Sequence, residues 1–331
     1  MIKEKFEMPI VYKDLPFNAY QMRGFEWGCL LSCGKEVLPF LYTFCTNVFV
    51  NSRRFKLDFT FDKYSWFDCY GVFKCKYIFV DDTPKEEWLS LLKETMTEGH
   101  YAYGMFDEFY IPNKYSYNRR HFDHAFLIYG FDDSKGVFLA VGYTANQRYE
   151  SYTIPYDNFY DAVSYYKNTY GWISLLHVKP DYIFEFSPRH VWKEFRDYLA
   201  SDYTERNRIE GEIYGVEAME WVADYVAETV ASKEYLNLKT GRFIAEYRAY
   251  THTKLKFMYD NGYLLNDHSE RYSELVSPAQ TVHLLFLKYN MTGNYQLGDR
   301  IVSILRESLK REIEIFTDVK AEMESKGLNQ L

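Results

Sequence analysis

Two residues of this chain have the chemistry for nucleophilic catalysis, the thiol of Cys29 and the imidazole of His124. After Cys29, the apolar residues Leu30, Leu31, Val37, Leu38, Leu41 and Phe44 recur at helical spacing, which predicts a helix running to about Thr46. Pro39 should kink or divide it. Gly24 and Gly28 mark a tight approach to its start, so Cys29 is expected at or near the helix N-terminus. There the unpaired backbone N–H groups and the helix dipole stabilise a thiolate, and a neighbouring imidazolium lowers its pKa further. Such a Cys-His pair attacks thioesters, esters or amides, and the same N–H groups stabilise the oxyanion. A small buried hydrophobe is the other reading of a free cysteine. Cys33 lies one helical turn on and competes with Cys29.

His124 stands before the apolar run Ala125 to Tyr129, which is followed by a turn at Gly130 to Gly136 and a second run from Val137 to Val141. That pattern predicts a hairpin of two strands and places the imidazole at a strand entrance. His121 competes from the neighbouring loop, and His100 is expected at the surface.

The elements that must position these groups alternate in type. Tyr101 to Phe106 reads as a strand ending at Asp107 and Tyr149 to Pro155 as another. Tyr156 to Tyr166 is a short helix and Gly171 to Val178 a last strand. Thr83 as N-cap, Pro84 and two acids open a further helix that stops at Gly99. Residues 47 to 80 are aromatic and alternate in places, as strands or aromatic loops do. The result is an α+β layout with a mostly antiparallel sheet. From Pro180 onward helical periodicity takes over, with Ser187-Pro188 and Ser277-Pro278 as helix openings and a final helix from Leu297 to Lys326. We therefore expect a catalytic domain at 1–180 and an all-α bundle at 181–331.

Composition narrows the class. A net charge of −8 argues against a nucleic-acid binder, whose affinity rests on basic phosphate contacts. No run reaches the roughly 18 apolar residues of a membrane helix, and the start lacks a signal-peptide core, so a cytoplasmic location without membrane partners is expected. The cysteines number five, an odd count, and all lie between Cys29 and Cys75, which in a reducing compartment suits free thiols rather than a disulfide framework. Neither Cys29 with Cys33 nor Cys69 with Cys75 has the close spacing of a structural zinc site. No Gly-rich phosphate loop appears, so an acyl group should arrive already activated, with no cofactor bound to this chain.

The order of Cys29, then HFDHAFLIYGFDDSKGVFLAV from His121 to Val141, then Tyr152-Thr153-Ile154-Pro155-Tyr156 resembles the papain-like domain of the butirosin biosynthesis protein H family, relatives of bacteriocin-processing cysteine peptidases. The resemblance spans residues 20 to 178 and implies acyl transfer in natural-product biosynthesis. Cys29 would take an acyl group from the phosphopantetheine thioester of an acyl or peptidyl carrier protein, and a small amine, such as a diamine, would resolve the acyl-enzyme into an amide. Amide synthetases of the closthioamide type are the nearest functional analogue. Relatives place an Asp after the second hairpin strand to orient the His, where this chain has Val141-Gly142-Tyr143. Asn146 is the substitute, as in a Cys-His-Asn set; an Asn bonded to its own loop is the plain alternative. Gln21 is the oxyanion-hole candidate, with Asn18 as its rival. Arg53, Arg54 and Lys56, and likewise Arg119 and Arg120, could contact the phosphopantetheine arm or an acidic carrier, or be solvated surface. A cysteine peptidase or amidase of the same fold, and a non-catalytic binding protein, are the competing functions. The amphipathic C-terminal helices make a homodimer an expectation.

Overall fold

A computed structural model describes residues 4–51, 58–61 (backbone only), 71–79, 84–165, 172–204 and 210–330. The chain divides into two compact units, the first formed by Met1–Lys35 with Tyr64–Ile183 and the second by Glu36–Lys63 with Phe184–Leu331.

The first unit is an antiparallel sheet in the order β4 (Phe73–Phe79), β9 (Trp172–Val178), β5 (Tyr101–Asp107), β6 (Asp123–Asp132), β7 (Val137–Tyr143), β8 (Tyr149–Pro155), with β1 (Lys5–Glu7) also paired to β6. Alternation assigns the two faces of β6. Phe126 and Ile128 point into a core with Trp88, Leu92 and Met96 of helix α3 (Lys85–Thr97) and Phe159 and Val163 of α4 (Tyr156–Ser164). On the other face lies helix α1 (Gln21–Leu31), whose Phe25 ring meets Tyr103 of β5 at 6.3 Å. The helix sits close: a Cβ on Gly28 would stand 2.5 Å from the Val11 carbonyl oxygen.

Two expectations about the first helix are corrected here. It begins at Gln21 rather than at Cys29, and it ends at Leu31, where the chain turns through Gly34 at φ 107°. Pro39 divides nothing; it occupies the first turn of a separate short helix, α2 (Leu38–Tyr42), where a missing N–H costs no hydrogen bond.

The second unit joins α2 and β2 (Val48–Asn51) to the C-terminal helices, so residues 36–63 do not belong with the rest of 1–180. The reason lies in α7 (Leu238–Asp260). Its buried Lys254 donates to the Phe44 carbonyl and, at 2.7 Å, to Thr46 Oγ1, while Tyr250 donates to the Leu41 carbonyl and Tyr247 to that of Thr46. The Leu41 carbonyl also accepts from the Phe44 N–H at 3.2 Å, and the α7 side chains add bonds to the carbonyls of the chain leaving α2. Nor is this unit all-α, because β10 (Glu212–Tyr214) pairs with β2, and β2 with β3 (Asp58–Phe61). Its remaining helices are α5 (Pro188–Leu199), α6 (Gly215–Ala231), α8 (His268–Ser273), α9 (Val276–Thr292) and α10 (Gln296–Ser325). Among the described residues no helix is long and apolar enough to cross a membrane.

Candidate functional site

The loop between β5 and β6 builds a polar site at one end of the sheet. Asp107, the last residue of β5, is fully buried, and its Oδ1 accepts from the backbone N–H of Phe109 at 3.0 Å and of Phe122 at 2.9 Å. One carboxylate thereby turns the chain into a 3-10 helix, Glu108–Tyr110, and fastens the returning end of the loop beside it. The ladder register pairs Asp107 with Asp123 and Phe106 with His124. Consecutive carboxylates at 107 and 108 meet two imidazoles, His121 in the loop and His124 in β6.

His124 Nδ1 lies 2.7 Å from Glu108 Oε1, with the imidazole side chain 28% exposed. A carboxylate on Nδ1 fixes the tautomer, leaving the Nε2 lone pair as a base. Glu108 is itself buried beside Lys114, whose Nζ stands 3.8 Å from Oε1, donates to the Tyr143 carbonyl at 2.6 Å and lies 4.5 Å over the Tyr152 ring. Burial pulls the Lys114 ammonium down to about 8, against the opposing pull of Glu108. The Tyr152 hydroxyl is buried with no hydrogen-bond partner among the described residues.

Cys29 does not meet this site. It is eight residues past Gln21, or about 12 Å along the helix, in the last turn of α1, and it is completely buried. Its neighbourhood is Glu26, Cys33, Tyr101 and Tyr149, and Tyr101 is at the opposite end of β5 from Phe106, about 17 Å away along the strand. The sheet also intervenes, since His124 shares the face of Phe126 while α1 covers the other. Burial pushes the Cys29 thiol well above its ordinary value, with Cys33 and Glu26 adding to the effect, the reverse of an activated thiolate. Cys33 is no better placed, with its sulfur 3.8 Å from the Cys29 carbonyl oxygen.

The other candidates divide as follows. Gln21 stands at the helix mouth, and its amide is spent on structure: Nε2 donates to the Ala125 carbonyl at 2.6 Å and Oε1 accepts from Tyr143 N–H at 2.7 Å. Gly142, at φ 149°, leaves room for it; a Cβ there would meet Gln21 Oε1 at 2.6 Å. Asn18 offers its carbonyl to the Tyr143 hydroxyl. Asn146 is exposed in the β7–β8 turn, and the orienting partner of His124 is Glu108 in its place. Arg119 and Arg120 are exposed near the site, their guanidiniums over the rings of Tyr115 and Phe122. Arg53, Arg54, Lys56 and Cys69 lie outside the described residues. His100 is buried rather than at the surface, bonded through Nδ1 to the Thr95 carbonyl at 3.1 Å.

Sequence reasoning missed Glu108 and Lys114. The signal for Glu108 was present: once residues 101–107 and 123–129 are paired antiparallel, the acids that end the first strand must lie opposite the histidines that begin the second. Lys114 had no such signal, because a lysine in a Tyr-rich loop reads as solvated. Among the described residues no group of His, Cys, Asp and Glu is placed to hold a metal ion. No family model matches the chain, and a search of curated proteins finds no match to its sequence.

Proposed function

We propose that the first unit is a papain-like scaffold that promotes amide formation by direct transfer, with no acyl-enzyme on Cys29. In this reading His124, oriented by Glu108, removes a proton from the acceptor amine as it attacks the carbonyl of a carrier-bound thioester. The C–N bond forms to give a tetrahedral adduct, and the C–S bond breaks as that adduct collapses, with the imidazolium returning the proton to the departing thiolate. The papain-like assignment and the acyl substrate rest on the resemblance of residues 20 to 178. The observation that carries the mechanism is the contrast in access: the His124–Glu108 pair reaches solvent, and Cys29 is sealed at the far end of its helix. An imidazole held by a carboxylate with its outer nitrogen open is the arrangement a general base needs.

The test is turnover of acyl N-acetylcysteamine thioesters with aliphatic amines, followed by intact-mass analysis. His124→Gln should lower the rate by about 10² to 10⁴-fold, while Cys29→Ala keeps it and no acyl adduct appears on the wild-type chain. An adduct that Cys29→Ala abolishes would restore the covalent mechanism and refute this one.

Gln21 favours a second reading, a binding protein without turnover. The helix mouth, where a papain-like enzyme keeps its thiol, is here filled by an amide tied to two strands. Wild-type protein that binds a thioester and makes no amide would establish it.

A further inference from the structure

His121 forms a second imidazole–carboxylate pair that the transfer reading leaves unused. Its Nδ1 is bonded to Asp107 Oδ2, the same carboxylate that two backbone N–H groups already hold. Both faces of the ring are gripped, by Phe109 at 4.6 Å and 28° and by Tyr165 at 4.8 Å and 7°. Half of the side chain is exposed, and no described residue hydrogen-bonds its Nε2. An imidazole used only to pin a loop through Nδ1 needs no such clamp on both faces. Here the clamp and the buried carboxylate together fix where the outer nitrogen points.

His121 and His124 are three residues apart, so their Cα atoms lie within about 11 Å of each other, and their carboxylates are consecutive. Resting on the direct-transfer reading and its amine acceptor, we infer that His121 with Asp107 is a second catalytic base, which takes the first proton of an acceptor that arrives in its ammonium form. An alkylammonium gives up two protons in becoming an amide. An alkylammonium must lose one proton before its nitrogen has a lone pair, and it loses another to His124 as that lone pair attacks the thioester. The second proton leaves with the thiol through His124. The first passes toward water, and half-exposed His121 is placed to relay it. An alcohol or an uncharged amine carries only the second proton and has no use for His121.

The experiment compares two acceptors on the full chain, with the same panel of acyl N-acetylcysteamine thioesters as donor: 1,3-diaminopropane, which is cationic at neutral pH, and hydroxylamine, which is uncharged there. His121→Gln should lower kcat/KM for the diamine by about 10²-fold or more and leave the hydroxylamine rate within about twofold of wild type. Tyr165→Leu, an exposed change that loosens the clamp, should give a smaller loss with the same acceptor preference, and it serves if His121→Gln fails to fold. Equal slowing on both acceptors would overturn this inference while leaving direct transfer standing. A wild-type chain that acylates neither would overturn both.

Discussion

Each unit of the molecule hides a cation next to a carboxylate, and the two treat the pair in opposite ways. In the second unit, Arg248 and Glu312 are ion-paired, 3% and 0% exposed, and the hydroxyls of Tyr198 and Tyr272 close the remaining sides of the carboxylate. Burial pushes the Glu312 carboxyl up, against the pull of Arg248 and the two tyrosines. Every partner is internal, so nothing is left to offer a ligand. In the first unit, Lys114 stands 3.8 Å from Glu108, and the carboxylate spends its closer contact on a histidine that reaches water. A closed network specifies packing. An open one leaves the imidazole partly exposed, where a ligand can reach it.

The comparison breaks most visibly at Glu312. Replacing it with Gln strands a buried guanidinium, and the loss should be about 3 to 5 kcal/mol in urea unfolding. The double change Arg248→Met with Glu312→Leu should recover most of that, since a well-packed apolar pair replaces a desolvated ionic one. The matching double change at Lys114 and Glu108 should instead leave a folded chain that no longer turns over substrate. If the two doubles behave alike, the distinction between closed and open pairs is wrong.

How much of this was legible beforehand depended on range. The hairpin at His124, the strand before Asp107 and the helices after Ser187 follow from local periodicity and turn chemistry, and the structure contains them. The start of α1 is not legible, because its first turns are written in residues that carry little helical signal, with Gly24 and Gly28 inside the helix and no side-chain cap at Tyr20. Propensity loses there to tertiary contact, with Gly28 against the Val11 backbone and Gln21 tied to β6 and β7. That eight-residue difference puts Cys29 at the helix mouth in the sequence reading, where the fold has it in the last turn, and it suggests a catalytic pair the fold does not make. The placement of residues 36–63 was hidden for a related reason. It depends on Lys254 and Tyr250, some two hundred residues later, and no local pattern reports a hydrogen bond of that range.

Lys114 sharpens the same comparison through pH. Its folded value is pulled down to about 8 from an ordinary 10.5, so between those limits the unfolded chain binds more protons than the folded one. Stability must then rise with pH across that window, because below it the fold bears the cost of a charged amine in an apolar place. The gain between pH 8 and pH 10 should be about 2 kcal/mol relative to Lys114→Met, in which that part of the pH dependence disappears. Denaturant melts of both proteins at the two pH values measure it. A difference of the opposite sign would mean that Glu108 holds the ammonium more firmly than burial expels it.

The smallest effect belongs to Cys29. If the thiol is a packing group, Cys29→Ala should cost about 1 kcal/mol, the ordinary consequence of trimming a buried side chain, and should leave turnover and the His124 dependence where they were. Its chemistry should be equally quiet. A buried thiol with a raised pKa presents almost no thiolate at neutral pH, so iodoacetamide should label it only as fast as the first unit opens, and denaturant should accelerate labelling in step with unfolding. Rapid labelling of Cys29 in the native protein would contradict its position behind the sheet, and with it the division between an open imidazole and a sealed sulfur on which the proposed direct transfer rests.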